Sequence, residues 1–243
     1  MDKIFKFLPS YVGSKARWVE YLTPYKGSDM VELFSGSAIL SANLAKTSVL
    51  NDLDPYIFKI FSNYGELIVP DEFTEEDYYR LRGSVDWWKY IYCLQKMSFS
   101  GVFRHSKNGY NVPMKKGYIK SVSLKEDFAV SKKRFEELKP QVLNLSYADI
   151  PTALLEGRVV VLDPPYQNKQ ASYNANKFDY DKYWKFVKSL RGVARTIIIF
   201  DTAGNIKSNL GVDSLVTRNM RVNGKHPGDI EAVCILGENL CQK

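Results

Sequence analysis

Short apolar runs, each stopped by a polar or turn-forming residue, recur towards both ends of the chain and are missing from its middle. Met30 to Phe34, Ser48 to Asn51, Val142 to Leu145, Val159 to Leu162 and Thr196 to Phe200 are of this kind. Such short runs, lacking helical spacing, read as buried strands. Leu215 to Val222 and Ile230 to Leu236 read as a closing antiparallel pair. Helical spacing falls between them, over Ala16 to Leu22, Ala38 to Lys46 and Asp179 to Leu190. Alternation of this kind predicts an α/β fold. From Tyr56 to Lys139 helical stretches take over. Ile57 to Leu67 is one, Thr74-Glu75-Glu76-Asp77 is a capped start for another, and Asp86 to Met97 reads as a buried aromatic helix. An irregular segment from Ser98 to Lys116 follows, where Asn108-Gly109 predicts a hairpin. The expected organisation is a sheet domain made of residues 1–55 and 141–243, interrupted by an insertion at 56–140.

Size and composition add little to that picture. At 243 residues, 45% hydrophobic and 25% charged, the chain can bury a core and is not expected to be disordered. No apolar run approaches the ~18 residues of a membrane span, so no membrane partner is expected. Met1 to Lys6 does not resemble a secretory signal, and a cytoplasmic location is the expectation. Cys93, Cys234 and Cys241 lack paired spacing, and His105 and His226 stand far apart, so no metal site is expected. The net charge of +7 fits a polyanionic partner.

Candidate chemistry centres on Asp163-Pro164-Pro165-Tyr166, which ends the run from Val159. The prolines stop the strand and leave a carboxylate at its carboxyl end, where open α/β sheets bind ligands. An exocyclic amino group on a nucleobase is a poor nucleophile, because its lone pair is delocalised into the ring. The Asp163 carboxylate and the Pro164 carbonyl are two acceptors that could hold both N–H bonds and aim the lone pair at an electrophile. Tyr166 could stack on a base flipped from the duplex. A plain strand stop would explain the same residues. Earlier, Ser35-Gly36-Ser37 turns from a strand into a helix, a nucleotide-cofactor arrangement without the full dinucleotide fingerprint. Asp52 ends the next strand, suited to ribose hydroxyls, whereas Asp54 before Pro55 suits a helix cap. Tyr11-Val12-Gly13-Ser14-Lys15 offers an aromatic face, a close backbone and a cation. The hairpin segment carries Arg104, Lys107, Lys115 and Lys116, all of one sign, with Asn111 and what read as aromatic tips, and suits entry into a DNA groove. The charges of Ser131 to Arg134 fit a helix face equally well.

These stretches, in this order, resemble the Dam-type DNA adenine-N6 methyltransferases, the D12-class α-group. Phe99 to Arg104 and Tyr110 to Pro113 resemble that family's target-recognition region. The resemblance implies a Rossmann-like S-adenosylmethionine-dependent methyltransferase sheet with a helical recognition insertion and a β-hairpin. It implies S-adenosylmethionine as cofactor, bound by Tyr11, Lys15, Phe34, Gly36, Asp52 and Asp163. Asp163, Pro164, Pro165 and Tyr166 would be catalytic, and Arg104, Lys107, Asn111, Lys115 and Lys116 would bind double-stranded DNA. Ala38 stands where the family often has glycine, and Tyr11 where some members have tryptophan. The basic pair Lys115-Lys116 differs from the family's GATC-reading version and leaves the target sequence open. A bacterial or phage-infected cell, a place in restriction-modification, and a monomer or weak dimer are compatible with this. A cytosine-N4 methyltransferase and an inactive DNA-binding relative are the alternatives.

Overall fold

The structure is a computed structural model that describes residues 4–115, 119–120, 122–166, 178–212, 215–219 and 230–237. Seven strands make a mixed, mostly parallel sheet: β1 (Ser28–Glu32), β2 (Ala45–Asn51), β3 (Gln141–Leu143), β4 (Val159–Leu162), β5 (Thr196–Thr202), β6 (Val216–Asn219) and β7 (Ile230–Gly237). The helices are α1 (Ile39–Leu44), α2 (Pro55–Ser62), α3 (Glu75–Arg82), α4 (Ile91–Met97), α5 (Val122–Leu138), α6 (Tyr180–Ser189) and α7 (Ala203–Leu210). The chain divides into two compact units. One comprises residues 1–28 and 35–144, the other 29–34 and 145–243.

The second unit holds strands in the order β6–β7–β5–β4–β1. β4 runs parallel to β1 and to β5, and β7 closes the series antiparallel to both β5 and β6. Val159, Val160, Val161 and Leu162 are all buried, which is why β4 reads as a continuous apolar run rather than an alternating one. Each such side chain contributes roughly 1.5–3 kcal/mol of transfer free energy. Asp163 is the first residue past the strand, as its prolines require. The closing antiparallel pair is present, with Val216 opposite Val233 and Asn219 opposite Ile230. Asp179 caps α6, its Oδ1 accepting from Lys182 N at 2.9 Å.

The first unit holds β2 and β3 as a parallel pair, together with α1 to α5. Several boundaries differ from expectation. Ala16 to Leu22 is not an α-helix; a 3-10 turn at Lys15–Trp18 replaces it, burying Trp18. The helix expected to reach Lys46 ends at Leu44, because Ala45 already belongs to β2. Asp86 to Met97 splits into a 3-10 turn at Trp87–Tyr90 and α4. The start at Thr74 is a full capping box, with Thr74 Oγ1 accepting from Asp77 N and Asp77 Oδ2 from Thr74 N, both at 3.1 Å. On α5, Ser131 is buried and Arg134 turns inward, its Nε donating to Ala42 O at 2.9 Å. Arg134 also donates to Ala45 O, so this cation satisfies carbonyls at the end of α1.

Candidate active site

In the second unit the site residues stand on adjacent strand ends. Asp163 follows β4, Asp201 lies in β5, and Glu231 lies in β7 opposite Thr202. Asp163 is half-buried, Pro164 is buried, and Pro165 and Tyr166 are half-buried. The Tyr166 hydroxyl donates to Glu231 Oε1 at 2.9 Å. Burial foremost, then the charges of Asp163, Glu231 and Asp201, hold the Tyr166 phenol well above its ordinary range. It therefore remains a protonated donor. Asp201 is fully buried. Its Oδ1 accepts from Thr202 N at 2.6 Å and from Asn205 Nδ2 at 2.9 Å, while Oδ2 has no hydrogen-bond partner among the described residues. Burial is the main cause of its pKa rising to about 6, and the Asp163 charge adds to it. Phe34 packs among Tyr147, Phe178 and Tyr183, with ring centroids 5.5 to 6.1 Å apart. That places a half-buried aromatic face at the end of β1.

In the first unit the turn after β1 is tied to the end of β2. Ser35 N donates to Asn51 O at 2.8 Å, and Gly36 N donates to Asp52 Oδ2 at 2.8 Å. Asp52 Oδ1 accepts from Asp54 N at 3.0 Å. The carboxylate thus ties the turn after β1 to the chain that follows β2. Gly36 has φ +48°, and a Cβ there would lie 2.9 Å from Tyr11 Cε1. The Tyr11 ring thus rests against bare backbone, which only glycine permits. Ala38 is also left-handed, at φ +52°, and is fully buried. That conformation favours glycine, by roughly 1–2 kcal/mol of steric cost for an L-residue. Lys15 is buried and its Nζ donates to Gly13 O at 2.7 Å, so this cation is folded onto its own loop rather than extended.

Asp54 caps α2, accepting from Tyr56 N at 2.8 Å, in keeping with its position before Pro55. Its other oxygen lies 2.7 Å from His105 Nε2. His105 packs on Tyr56 and Trp87 with centroids at 4.5 and 6.0 Å. This histidine, unassigned from sequence, links the hairpin to the helix that follows Asp52.

The hairpin forms, with His105–Ser106 paired to Gly109–Tyr110 across Lys107 and Asn108. Of the segment's aromatics Phe99 is 62% exposed, but the two nearest the hairpin are not tips. Phe103 and Tyr110 are each 1% exposed and pack against Trp87. Tyr110 can be buried because its hydroxyl finds partners in Ser98 Oγ, at 3.0 Å, and Val102 O. Arg104, Lys107 and Lys115 are exposed. Arg104 is braced by Asn111, with Nε to Oδ1 at 2.8 Å and Nη2 to the backbone O at 2.9 Å. Lys116 lies outside the described residues, as do the segments 167–177 and 220–229.

The residues fit a nucleoside-bearing cofactor. Within the first unit a carboxylate ends the second strand, the turn beside it is a cradle that a Cβ would fill, and an aromatic face stands at Tyr11. The model of the D12 class N6 adenine-specific DNA methyltransferases matches residues 11–202, and the chain belongs to that family. It is a DNA methyltransferase acting on adenine N6. No curated protein matches the chain. Among solved structures, a conserved hypothetical protein of Streptococcus pyogenes is similar at 12% identity and TM-score 0.39, over 93% of this chain and 96% of that one. The M. jannaschii tRNA m1G37 methyltransferase is similar at 11% identity and TM-score 0.41, over 90% of this chain and 45% of its own. A dimethyladenosine transferase from Plasmodium falciparum is similar at 12% identity and TM-score 0.40, over 90% and 59%. These likenesses say nothing of the site.

Proposed function

We propose that the protein is a Dam-type, sequence-specific methyltransferase that acts on an adenine flipped out of a short duplex motif, with GATC as the first motif to test. The observation that carries this is the carboxylate-Pro-Pro-Tyr strand end, with the Tyr166 hydroxyl anchored and protonated. S-adenosylmethionine would supply an electrophilic methyl on a positively charged sulfur. Gly36 and Asp52 would hold its nucleoside end, with Tyr11, Lys15 and Phe34 lining it. Asp163, which would also border the cofactor, would accept one N–H of the adenine amino group and the Pro164 carbonyl the other. Both bonds draw the lone pair out of conjugation and orient it. The amino nitrogen would receive that methyl group and then release a proton, with the Asp163 carboxylate as the acceptor beside it. Asp163 acts as an acceptor rather than a strong base, because that proton is acidic only after transfer. Pro165 would set the direction in which Tyr166 stacks on the base.

Residues 56–140 would form the recognition insertion of a catalytic domain made of 1–55 and 141–243. Arg104, Lys107, Asn111, Lys115 and Lys116 would bind DNA, in a cytoplasmic setting that includes a restriction-modification role. The test is to incubate the protein with unmethylated genomic DNA and S-adenosylmethionine, then map modified bases by single-molecule sequencing. N6-methyladenine at one short motif is expected. N4-methylcytosine would keep the geometry and overturn the substrate, and a protein that binds DNA without modifying it would overturn the activity.

A further inference from the structure

We propose that Glu231 is a positioning residue for methyl transfer, fixing the Tyr166 ring in the attitude that receives the target base. The inference rests on the stacking role given to Tyr166 above. Pro164 and Pro165 fix the backbone between β4 and Tyr166, since each holds φ near −65°. That leaves the ring its two side-chain torsions, and a stacking face that swings freely loses orientation. The hydroxyl removes that freedom: it donates to Glu231 Oε1 at 2.9 Å, across 65 residues of sequence. The ring is thereby held at both ends, by proline-locked backbone at Cα and by a charge-assisted hydrogen bond at the phenol.

The acceptor is itself well seated. Glu231 lies in β7, with Thr202 of β5 opposite on one side and Arg218 of β6 opposite on the other. Its backbone is part of a three-strand ladder rather than a loop, and an opposite charge stands directly across from it. A stacking platform supported from rigid strands is what a precise in-line transfer requires. The phenol stays protonated because burial and then the carboxylates of Asp163, Glu231 and Asp201 all disfavour the phenolate. The donor therefore persists across the working pH range.

The test is single-turnover methylation of a duplex carrying the target, with full-length chains, plus cofactor affinity by calorimetry. Glu231→Ala should slow methyl transfer roughly tenfold, the scale of one hydrogen bond to a charged group, with cofactor affinity unchanged. Glu231→Gln, whose amide oxygen still accepts, should recover most of that rate. Tyr166→Phe keeps the ring and removes only the hydroxyl. It should lose as much as Glu231→Ala, and the double variant no more than either, because both break one bond. Fluorescence of 2-aminopurine at the target position should report a less ordered stack in Glu231→Ala and Tyr166→Phe, which a merely structural role would not produce. Tyr166→Phe at full speed, or losses that multiply in the double variant, would overturn the inference. It would survive poor folding of Glu231→Ala, since Tyr166→Phe asks the same question. If the wild-type protein itself leaves adenine unmodified, the function reading fails instead.

Discussion

Replacing Asp201 with Asn should change how stability depends on pH, and the structure sets the size of the change. Asp201 is fully buried, accepts from Thr202 N and Asn205 Nδ2 through Oδ1, and has no partner for Oδ2 among the described residues. Burial raises its pKa from 3.8 to about 6, the two hydrogen bonds oppose that rise, and the Asp163 charge adds to it. The native carboxyl therefore keeps its proton to higher pH than the unfolded one. Between those values the native state binds more protons, so stability falls as pH rises from about 4 to about 6 and is level above that. A shift of roughly two units, at about 1.36 kcal/mol each, costs about 3 kcal/mol at pH 7. Asn carries no charge at any pH. The free-energy difference, Asp201→Asn minus wild type, should thus grow by roughly 2.4 kcal/mol in favour of the variant between pH 4 and pH 7, because pH 4 already lies at the unfolded pKa. Urea unfolding at pH 4, 5, 6 and 7 measures it, provided the two proteins share one m-value. Carboxylates that do not interact with Asp201 cancel in the difference, including Asp77, held below its ordinary range mainly by the Thr74 N–H. A difference that stays constant across the series would refute the account of Asp201.

The remaining predictions concern the cofactor turn and the hairpin. Asp52→Ala should weaken S-adenosylmethionine binding more than DNA binding, because it removes the carboxylate that holds Gly36 N; calorimetry showing equal cofactor affinity would count against it. Gly36→Ala should lower cofactor affinity and destabilise the protein by roughly 1–2 kcal/mol, from a left-handed alanine and a Cβ 2.9 Å from the Tyr11 ring. Thermal unfolding with and without S-adenosylmethionine separates the two effects. The double change Arg104→Ala with Lys107→Ala should weaken DNA binding at low salt and reduce the salt dependence by about two phosphate contacts. An unaltered slope in a fluorescence titration would remove these two residues from the interface.

The buried strands were legible because Val159 to Leu162 and Ile197 to Phe200 are unbroken apolar runs of strand length, each stopped by an acid at Asp163 or Asp201. The cap at Thr74 was legible for a local reason, since both of its bonds join residues three apart. Boundaries were less so. Nothing local marks Ala45 as sheet rather than helix, because β2 pairs with β3 some ninety residues later. The hairpin misled on its aromatics. Phe103 and Tyr110 sit among lysines and glycines in sequence, but Trp87, sixteen and twenty-three residues earlier, gives them a core. Asp163 and Tyr166 could be singled out as candidates from their own motif, whereas Glu231 could not, because a carboxylate at a strand start has no signature until the Tyr166 hydroxyl is seen to reach it. His105 was missed for the same reason: its partner Asp54 is 51 residues away.

The central claim is that Asp163 orients an adenine amino group for methyl transfer. Wild type and Asp163→Ala would be incubated side by side with duplex DNA and S-adenosylmethionine, and the digested nucleosides measured by mass spectrometry. Circular dichroism of both proteins would accompany the assay. The account predicts N6-methyldeoxyadenosine from the wild type and essentially none from a normally folded Asp163→Ala. Near-normal turnover by that variant would contradict it.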